Sequence, residues 1–290
     1  MKKTIFIGSR LNVLQQIAAF PELELIGLFV QEDSLLHKKM NKISLPNTIV
    51  ARVFTIKEKV AVFEEISELD FDIIISNGCP FIFPVDMMKK TAQLFVNVHP
   101  TLLPYLKGKT PLNGVFMTHQ KAIGATMHYI DEGIDTGNII AQQKISLSDD
   151  IDQGLVYKIS FDLESLTFQT GMKLLIDSNY SFEGTKQISK GTYFNRTKEL
   201  QTIEVEKHST DVIIDKVKSF GIKSQGSFMT IGGVQYKIYS AEKIVNHYLL
   251  TTYSNLKPGE TALEYENKII LKTIDGMIKL VDYELLPSKN

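Results

Sequence analysis

Three side chains stand out for the chemistry their types and spacing allow: the amide of Asn97, the imidazole of His99 and the carboxylate of Asp135. The first two belong to Asn97-Val98-His99-Pro100-Thr101-Leu102-Leu103-Pro104, with Gly108 and Pro111 close behind. The third belongs to Asp131-Glu132-Gly133-Ile134-Asp135-Thr136-Gly137. An amide N–H can donate to an oxyanion, an imidazole can move a proton, and a carboxylate can set the charge of that imidazole. That set suits acyl transfer to an amine. Singly, each residue has a plainer explanation. A histidine between an apolar strand and a proline is commonly structural, and an aspartate beside Thr136-Gly137 is an ordinary turn residue. Asn97 and His99, two apart, share one side of an extended strand; the catalytic reading further requires Asp135 to lie beside His99.

The elements that must position these groups are legible as a pattern. Apolar runs at 4–8, 25–30, 50–54, 72–76 and 95–99 read as buried strands. Stretches with helical spacing fall between them at 12–19, 34–39 and 57–69. This alternation predicts an α/β fold with a Rossmann-like, doubly wound, mostly parallel sheet, whose sites lie at the strand C-termini. Residues 123–131 and 138–145 read as a strand pair around the Asp135 loop, and 150–176 as a long helix capped by Asp149 or Asp150. Beyond the polar Gly191-Thr192-Tyr193-Phe194-Asn195-Arg196-Thr197 comes a short helix at 210–220. Short strands follow at 227–231, 234–239, 248–254, 268–273 and 277–283, punctuated by Gly232-Gly233, Pro258-Gly259 and Asp275-Gly276. That tail predicts a small β-rich, OB-like barrel. The division expected is a catalytic domain over 1–190, then a linker and barrel-like domain over 191–290.

Composition narrows the function classes. The 290 residues are 43% hydrophobic and 22% charged with a formal net charge of −1, so no global positive field points to nucleic acid or an anionic membrane. Arg10, Arg52 and Arg196 are the arginines, which further weakens a phosphate-backbone reading. Cys79 is the single cysteine, and no HExxH-like pair exists, so no disulfide or metal site is expected. His37, His208 and His247 lack neighbours at ligand spacing; His119 and His128 read as structural. The start lacks a signal-peptide pattern and no stretch is long enough to span a bilayer, so the cytoplasm is the expected location. Gly8-Ser9-Arg10 follows the first strand but is not a GxGxxG, which disfavours a nucleotide-dependent dehydrogenase.

The string from Asn97 to Pro104, then Gly108 and the Asp-x-Gly loop, resembles the signature of the formyltransferases that use 10-formyltetrahydrofolate. The resemblance implies roles. Asn97 would donate to the oxyanion formed as an amine attacks the formyl carbon, and protonated His99 would donate to it or pass a proton to the departing folate nitrogen. Asp135 would raise the histidine pKa above its reference of about 6.5. A donor so placed is worth roughly 3–4 kcal/mol of barrier. The apolar loop Asn77-Gly78-Cys79-Pro80-Phe81-Ile82-Phe83-Pro84 would wall the pteridine, with backbone pairing at Phe81, Ile82 and Phe83. Asp131, Glu132, Gly133 and Ile134 would complete that pocket, Lys109 would be a basic residue near the folate, and Leu103–Pro104 would be cis.

The tail is similar to the small barrel of methionyl-tRNA and sugar formyltransferases. Between these, the loop from Gln31 through Pro46-Asn47 lacks the longer basic insertion of the tRNA branch. Residues 186–290 carry fifteen basic and twelve acidic residues, a diffuse excess unlike a tRNA-binding surface. Thr-Leu-Leu-Pro-Tyr-Leu-Lys-Gly and Gly-Thr-Tyr-Phe-Asn-Arg also look like the sugar N-formyltransferases. The expected acceptor is therefore a nucleotide-linked amino-dideoxy sugar, with a dTDP-linked one as first choice, for surface polysaccharide and lipopolysaccharide synthesis. Ser9, Arg10, Thr101, Tyr105 and Lys107 are assigned to it, Lys107 as a point charge for the diphosphate. The expected partners are folate and that sugar, with no nucleic acid and no membrane, and the chain is expected to be a homodimer. Two alternatives are a methionyl-tRNA formyltransferase and a non-catalytic folate- or sugar-nucleotide-binding protein. The second has no need of all three of Asn97, His99 and Asp135.

Overall fold

Thr4-Ile5-Phe6-Ile7 combines β-branched and aromatic residues and forms the buried heart of the first strand. The computed structural model describes residues 1–42, 49–90 and 92–287, so Pro46 and Asn47 of the loop compared with the tRNA branch lie outside the described residues. In chain order the first half runs β1 (Lys2–Gly8), α1 (Leu11–Ile17), β2 (Leu23–Gln31), α2 (Leu35–Lys39), β3 (Ala51–Phe54), α3 (Lys59–Glu68), β4 (Ile73–Asn77), α4 (Val85–Met88), β5 (Leu94–His99), α5 (Gly114–Met117), β6 (Ala122–Tyr129), β7 (Ile139–Ser146) and α6 (Gln153–Asp177). The second half runs α7 (Lys198–Gln201), β8 (Thr202–Ile203), α8 (Thr210–Phe220), β9 (Ser227–Ile231), β10 (Val234–Lys243), α9 (His247–Thr252), β11 (Thr261–Tyr265), β12 (Lys268–Lys272) and β13 (Met277–Leu285).

The chain divides into two compact units. Met1–Lys109, Ala122–Ser146 and Lys158–Tyr193 make the first; Thr110–Lys121, Leu147–Tyr157 and Phe194–Asn290 make the second. In the first unit a seven-stranded sheet has the order β3-β2-β1-β4-β5-β6-β7. The pairs among β1 to β5 are parallel, and β6 and β7 add antiparallel. This is the mixed α/β, mostly parallel sheet that the alternation predicts. Side chains of β1 alternate between two cores. Phe6 joins Val13, Leu14, Ile17, Phe168 and Met172 on one face, while Ile5 and Ile7 join Val62, Phe63 and Ile66 on the other. Burial on both faces explains why these strands read as continuous apolar runs. Ser34 caps α2 by accepting from the His37 N–H at 3.1 Å. For α6 the cap is Asp152 and not Asp149 or Asp150: its Oδ1 accepts from the Leu155 N–H at 2.8 Å.

The second unit corrects the barrel expectation. Its six strands form an open sheet of order β11-β12-β13-β10-β9-β8, in which β8 pairs parallel to β9. One side is lined by Ile203, Ile213, Val217, Met229, Ile238 and Leu271, with Ile213 and Val217 four apart on α8. The stretch read as a strand at 248–254 is largely α9. Its composition favours a strand, but the Asn246 side chain accepts from the Leu249 N–H at 3.2 Å, so a local cap decides the conformation. A buried polar knot ties the unit together. Asn113 Nδ2 donates to the Ser219 carbonyl and to Gln225 Oε1 at 2.7 Å each, and Tyr157 donates to Asn113 Oδ1 at 3.1 Å. No helix among the described residues is long and apolar enough to cross a membrane.

Candidate active site

The site forms where β5 ends. Antiparallel pairing with β6 sets Asn97 directly opposite His128, and such facing pairs interact across the strands. Asn97 Nδ2 donates to His128 Nε2 at 3.1 Å. The His128 Nδ1 atom lies 2.7 Å from the Tyr129 carbonyl, which can only accept, so Nδ1 carries the proton and Nε2 is left to accept from Asn97.

Asp135 reaches the same spot from the loop between β6 and β7. Its φ of 54° is left-handed, a region aspartate enters more readily than most residues. Two residues on, a Cβ on Gly137 would come within 1.9 Å of the Tyr129 carbonyl oxygen, so the loop can turn back this tightly only with glycine there. Gln187 pins the loop by donating to the carbonyls of Asp135 at 3.0 Å and Gly137 at 2.8 Å. The carboxylate then meets two N–H donors and two imidazole rings. Gly108 N–H donates to Oδ2 at 2.9 Å and Asn97 Nδ2 lies 3.5 Å from Oδ1. His99 Nδ1 and His128 Nε2 each stand 3.6 Å from Oδ1. The trio read from the sequence is thus brought together, and the condition that Asp135 lie beside His99 is met.

Charge states correct one expectation. Asp135 is held well below the usual carboxylate range: burial alone would push it up, but the neighbouring imidazoles and the Gly108 N–H outweigh burial. His99 moves down, not up. Its side chain is buried, and desolvation of the imidazolium outweighs the attraction of Asp135. Its Nε2 faces the Leu106 carbonyl at 3.0 Å and therefore carries the proton, leaving Nδ1 free to accept one beside Asp135. The resting imidazole is an acceptor poised next to an anion.

Around this centre the expected folate residues lie on two joined loops. The backbone N–H of Asp86 donates to Glu132 Oε1 at 3.1 Å, which ties the segment after β4 to the Asp135 loop. Asp131 accepts from the Gly133 N–H at 3.1 Å and the Thr136 hydroxyl at 2.6 Å. Phe81 and Phe83 turn inward, with Phe81 5.1 Å from Phe54 and Phe83 5.2 Å from Phe63 between ring centroids. Ile82 and Ile134, on these two loops, remain exposed by 46% and 42%, an apolar surface that a flat ring could cover. Lys109 is exposed, and Leu103–Pro104 is cis, as the resemblance implies.

The residues assigned to the acceptor divide. The Ser9 hydroxyl donates to the Gly78 carbonyl at 2.8 Å, and Arg10 pairs with Glu164. Thr101 is buried with its hydroxyl 3.0 Å from the Tyr105 and Leu106 carbonyls, so it braces the loop. Tyr105 is half exposed. Lys107 is neither solvated nor open: it is buried, its Nζ donating to the Lys190 carbonyl at 3.3 Å and lying 5.4 Å from the Tyr193 ring centroid. Its charge is met from within the chain.

Residues 34–168 match the formyl transferase family model. The chain carries a formyl transferase domain. Proteins that this model describes are enzymes that transfer formyl groups. It is 25% identical over 295 aligned positions to the methionyl-tRNA formyltransferase of Mycoplasma capricolum, covering 97% of this chain and 90% of the relative. Among solved structures, it is similar to an N-formyltransferase from Helicobacter canadensis in complex with folinic acid and dTDP-3-aminofucose. The TM-score is 0.68 at 21% identity, covering 98% of this chain and 100% of that one. WlaRD, a sugar 3N-formyl transferase solved in the presence of dTDP and 5-N-formyl-THF, gives a TM-score of 0.69 at 21% identity, with 100% and 99% covered.

His128 is the residue that reading the sequence missed. Alternating with apolar neighbours, it looked like a core histidine, and only the β5–β6 register reveals that it faces Asn97. Glu164 was also missed, since nothing local to α6 signals its pairing with Arg10.

Proposed function

We propose that this enzyme moves the formyl group of 10-formyltetrahydrofolate to the amine of a nucleotide-linked amino sugar, with a dTDP-linked amino-dideoxyhexose as first choice. The observation that carries the formyl-transfer chemistry is the convergence of Asn97, His99 and Asp135 at the end of β5, each within 3.6 Å of another. Folate would supply the one-carbon unit. The two joined loops carrying exposed Ile82 and Ile134 fit a flat, partly apolar ring. Asn97 donates to the carbonyl oxygen as charge builds there. His99 accepts at Nδ1 the proton that the attacking amine sheds and returns it to the departing nitrogen. Asp135 stabilises the imidazolium that exists between those two transfers, as carboxylates beside catalytic histidines do.

Support for the sugar acceptor comes from likeness over the full length of both chains to an N-formyltransferase whose structure holds dTDP-3-aminofucose. The short stretch after β2 and the small basic excess of residues 186–290, fifteen basic against twelve acidic, point the same way. With that acceptor the enzyme would serve lipopolysaccharide or other surface polysaccharide synthesis as a cytoplasmic homodimer, with residues 1–190 as catalytic domain and 191–290 as linker and accessory domain. The sequence relatives favour a second reading, methionyl-tRNA formylation. Mass-spectrometric screening decides between them. The protein is given 10-formyltetrahydrofolate with a set of amino-sugar nucleotides, and separately with initiator methionyl-tRNA. A product heavier by one formyl group on a nucleotide sugar is expected. Formylated methionyl-tRNA with no sugar product selects the second reading, and folate binding without transfer to any amine rejects both.

A further inference from the structure

Residues 185–193 run over the surface of the first unit, and most of their side chains are exposed. Among the described residues, neither apolar core of that unit includes any of them. What holds the segment is a set of hydrogen bonds, and these run to the two loops that carry the site. At its start, Thr185 exchanges backbone bonds of 2.7 and 2.8 Å with Ile139, the first residue of β7. Gln187 then holds the carbonyls of Asp135 and Gly137. At its end, the Thr192 N–H donates to the Pro104 carbonyl at 3.2 Å, and the Thr192 carbonyl accepts from the Lys107 N–H at 2.8 Å. The Thr192 hydroxyl accepts from the Leu106 N–H at 3.0 Å. So close an approach needs glycine beside it: Gly191 has a φ of 64°, and a Cβ there would stand 1.7 Å from the Pro104 oxygen.

The loop gripped at this end touches both members of the catalytic pair. Leu106 has a left-handed φ of 56°, a conformation that costs a leucine energy and persists only where its surroundings hold it. It turns the Leu106 carbonyl onto His99 Nε2 and leaves the N–H to Thr192. Two residues on, the Gly108 N–H meets Asp135 Oδ2. Lys107, between them, is bound to the segment by its backbone N–H and by its ammonium on the Lys190 carbonyl. Asp135 is itself left-handed, so each of the two strained residues of the site carries one bond from this segment.

We propose that residues 185–193 are a positioning strap, in which Gln187 and the Thr192 hydroxyl set Asp135 and His99 against each other. A segment that only connected α6 to the second unit would need no side-chain bonds to either loop. His99 Nδ1 and Asp135 Oδ1 are 3.6 Å apart, and a misplacement of about 1 Å at such a centre can cost about 100-fold in rate. Slack from the loss of one or two surface hydrogen bonds costs less. The proposal rests on the formyl-transfer reading of the site and not on the choice of acceptor.

Steady-state kinetics with 10-formyltetrahydrofolate and dTDP-3-aminofucose, or initiator methionyl-tRNA should that be the acceptor that reacts, tests the strap. Gln187→Met keeps the length of the side chain and loses the donor, and Thr192→Val keeps the shape and loses the hydroxyl. The first should lower kcat about tenfold and the second about fivefold, with KM for the folate within about twofold of the parent. Thr192→Ser restores the oxygen and should recover most of the loss. Ile188→Ser, on the same segment but 98% exposed, should match the parent. Placed in an Asp135→Asn background, Gln187→Met should cost nothing further, because the group it positions is gone; a merely structural role would cost as much in either background. Parent-like kcat in both Gln187→Met and Thr192→Val, equal losses in Thr192→Val and Thr192→Ser, or a full further loss in the double variant each overturns the strap. Hydrogen exchange read by mass spectrometry needs no acceptor and so separates the two readings. Peptides spanning 104–110 and 131–137 should exchange faster in Gln187→Met and Thr192→Val than in the parent, with β1 unchanged. A parent that formylates neither acceptor ends the formyl-transfer reading, and unchanged exchange in both loops ends the strap.

Discussion

Asp135, largely enclosed, and Glu164, fully buried, are carboxylates of the same unit, yet they lean toward opposite charge states. Burial penalises the ionised form of each. Asp135 overcomes it with the Gly108 N–H at 2.9 Å, the Asn97 amide at 3.5 Å and two imidazoles at 3.6 Å. Glu164 has the Arg10 guanidinium on one oxygen and no hydrogen-bond partner on the other among the described residues, and it rises to about 7. One guanidinium on a fully buried carboxylate is therefore weaker at fixing charge than two N–H donors and two neighbouring imidazoles around a less enclosed one. The first arrangement suits a group that must stay anionic through a reaction, and the second leaves a carboxylate that titrates near neutral pH.

The largest effect that could break this comparison is loss of the Asp135 charge. Asp135→Asn keeps the shape and removes the anion, so an imidazolium at His99 loses its support. A fall in kcat of about 100-fold or more is expected, as for His99→Ala, and the double variant should lose little beyond either single one because the two act as a unit. Steady-state kinetics with the identified acceptor measures it. Near-normal turnover in Asp135→Asn removes the carboxylate from the mechanism, and additive losses separate the two residues.

Next is the dependence of stability on pH. Unfolded, Glu164 titrates near 4.5, and folded near 7, so between those values the folded state binds the extra proton. Stability contributed by this residue is full below about 4.5 and declines as pH climbs to 7, by an amount on the order of 3 kcal/mol. Glu164→Gln stays neutral and lacks that decline. Its urea midpoint relative to the parent should therefore be higher at pH 8 than at pH 5. His99, with its folded pKa lowered, opposes this trend, because below about 6.5 the unfolded chain binds the proton more readily. That term is common to parent and variant and cancels. The same gap at both pH values would mean that Glu164 is ionised as firmly as Asp135.

His128 offers a smaller effect. Its Nδ1–H on the Tyr129 carbonyl leaves Nε2 to hold the Asn97 amide, so it is a positioning residue for that donor. His128→Phe keeps a ring but removes the acceptor, and kcat should drop about tenfold, the value of a hydrogen bond of about 1.4 kcal/mol. KM for the folate should change little. His128→Gln, which can accept, should recover part of the loss; equal losses in both would make His128 a packing residue only.

These cases also mark what the sequence can and cannot disclose. The strand containing Asn97 and His99 was legible because apolar residues fill both faces of a parallel sheet, and the loop of Asp135 because its glycines force a turn. The companionship of His128 depends on register between β5 and β6, and that of Glu164 on a contact between residues 154 apart. Neither has a local signature. The direction of the His99 shift depends on how deeply the ring is buried, which Asp135 in the sequence could not announce. In the second unit, composition favoured strand at 248–254, but the Asn246 cap prevailed; an open sheet and a barrel share the same run of short strands, and their difference lies in whether the edges pair.

The smallest expected effect comes from an ion pair of the opposite kind, Lys223 with Asp282 in the second unit. The two atoms are 2.8 Å apart, and the side chains remain 64% and 47% exposed. Water solvates both charges whether or not they touch, and holding two flexible side chains together costs entropy that offsets the attraction. The lysine is raised above its ordinary value mainly through its hydrogen bond to Asp282, but a shift on so exposed a group is no measure of stability. Lys223→Met, which keeps most of the stem that lies 4.0 Å from the Tyr239 ring centroid at its charged end, isolates the charge. The urea midpoint should stay within experimental error of the parent, at low and at high salt alike. A clear loss at low salt that vanishes at high salt would show that pairing alone can stabilise this chain, and the contrast between Asp135 and Glu164 would then need more than a count of donors to explain it.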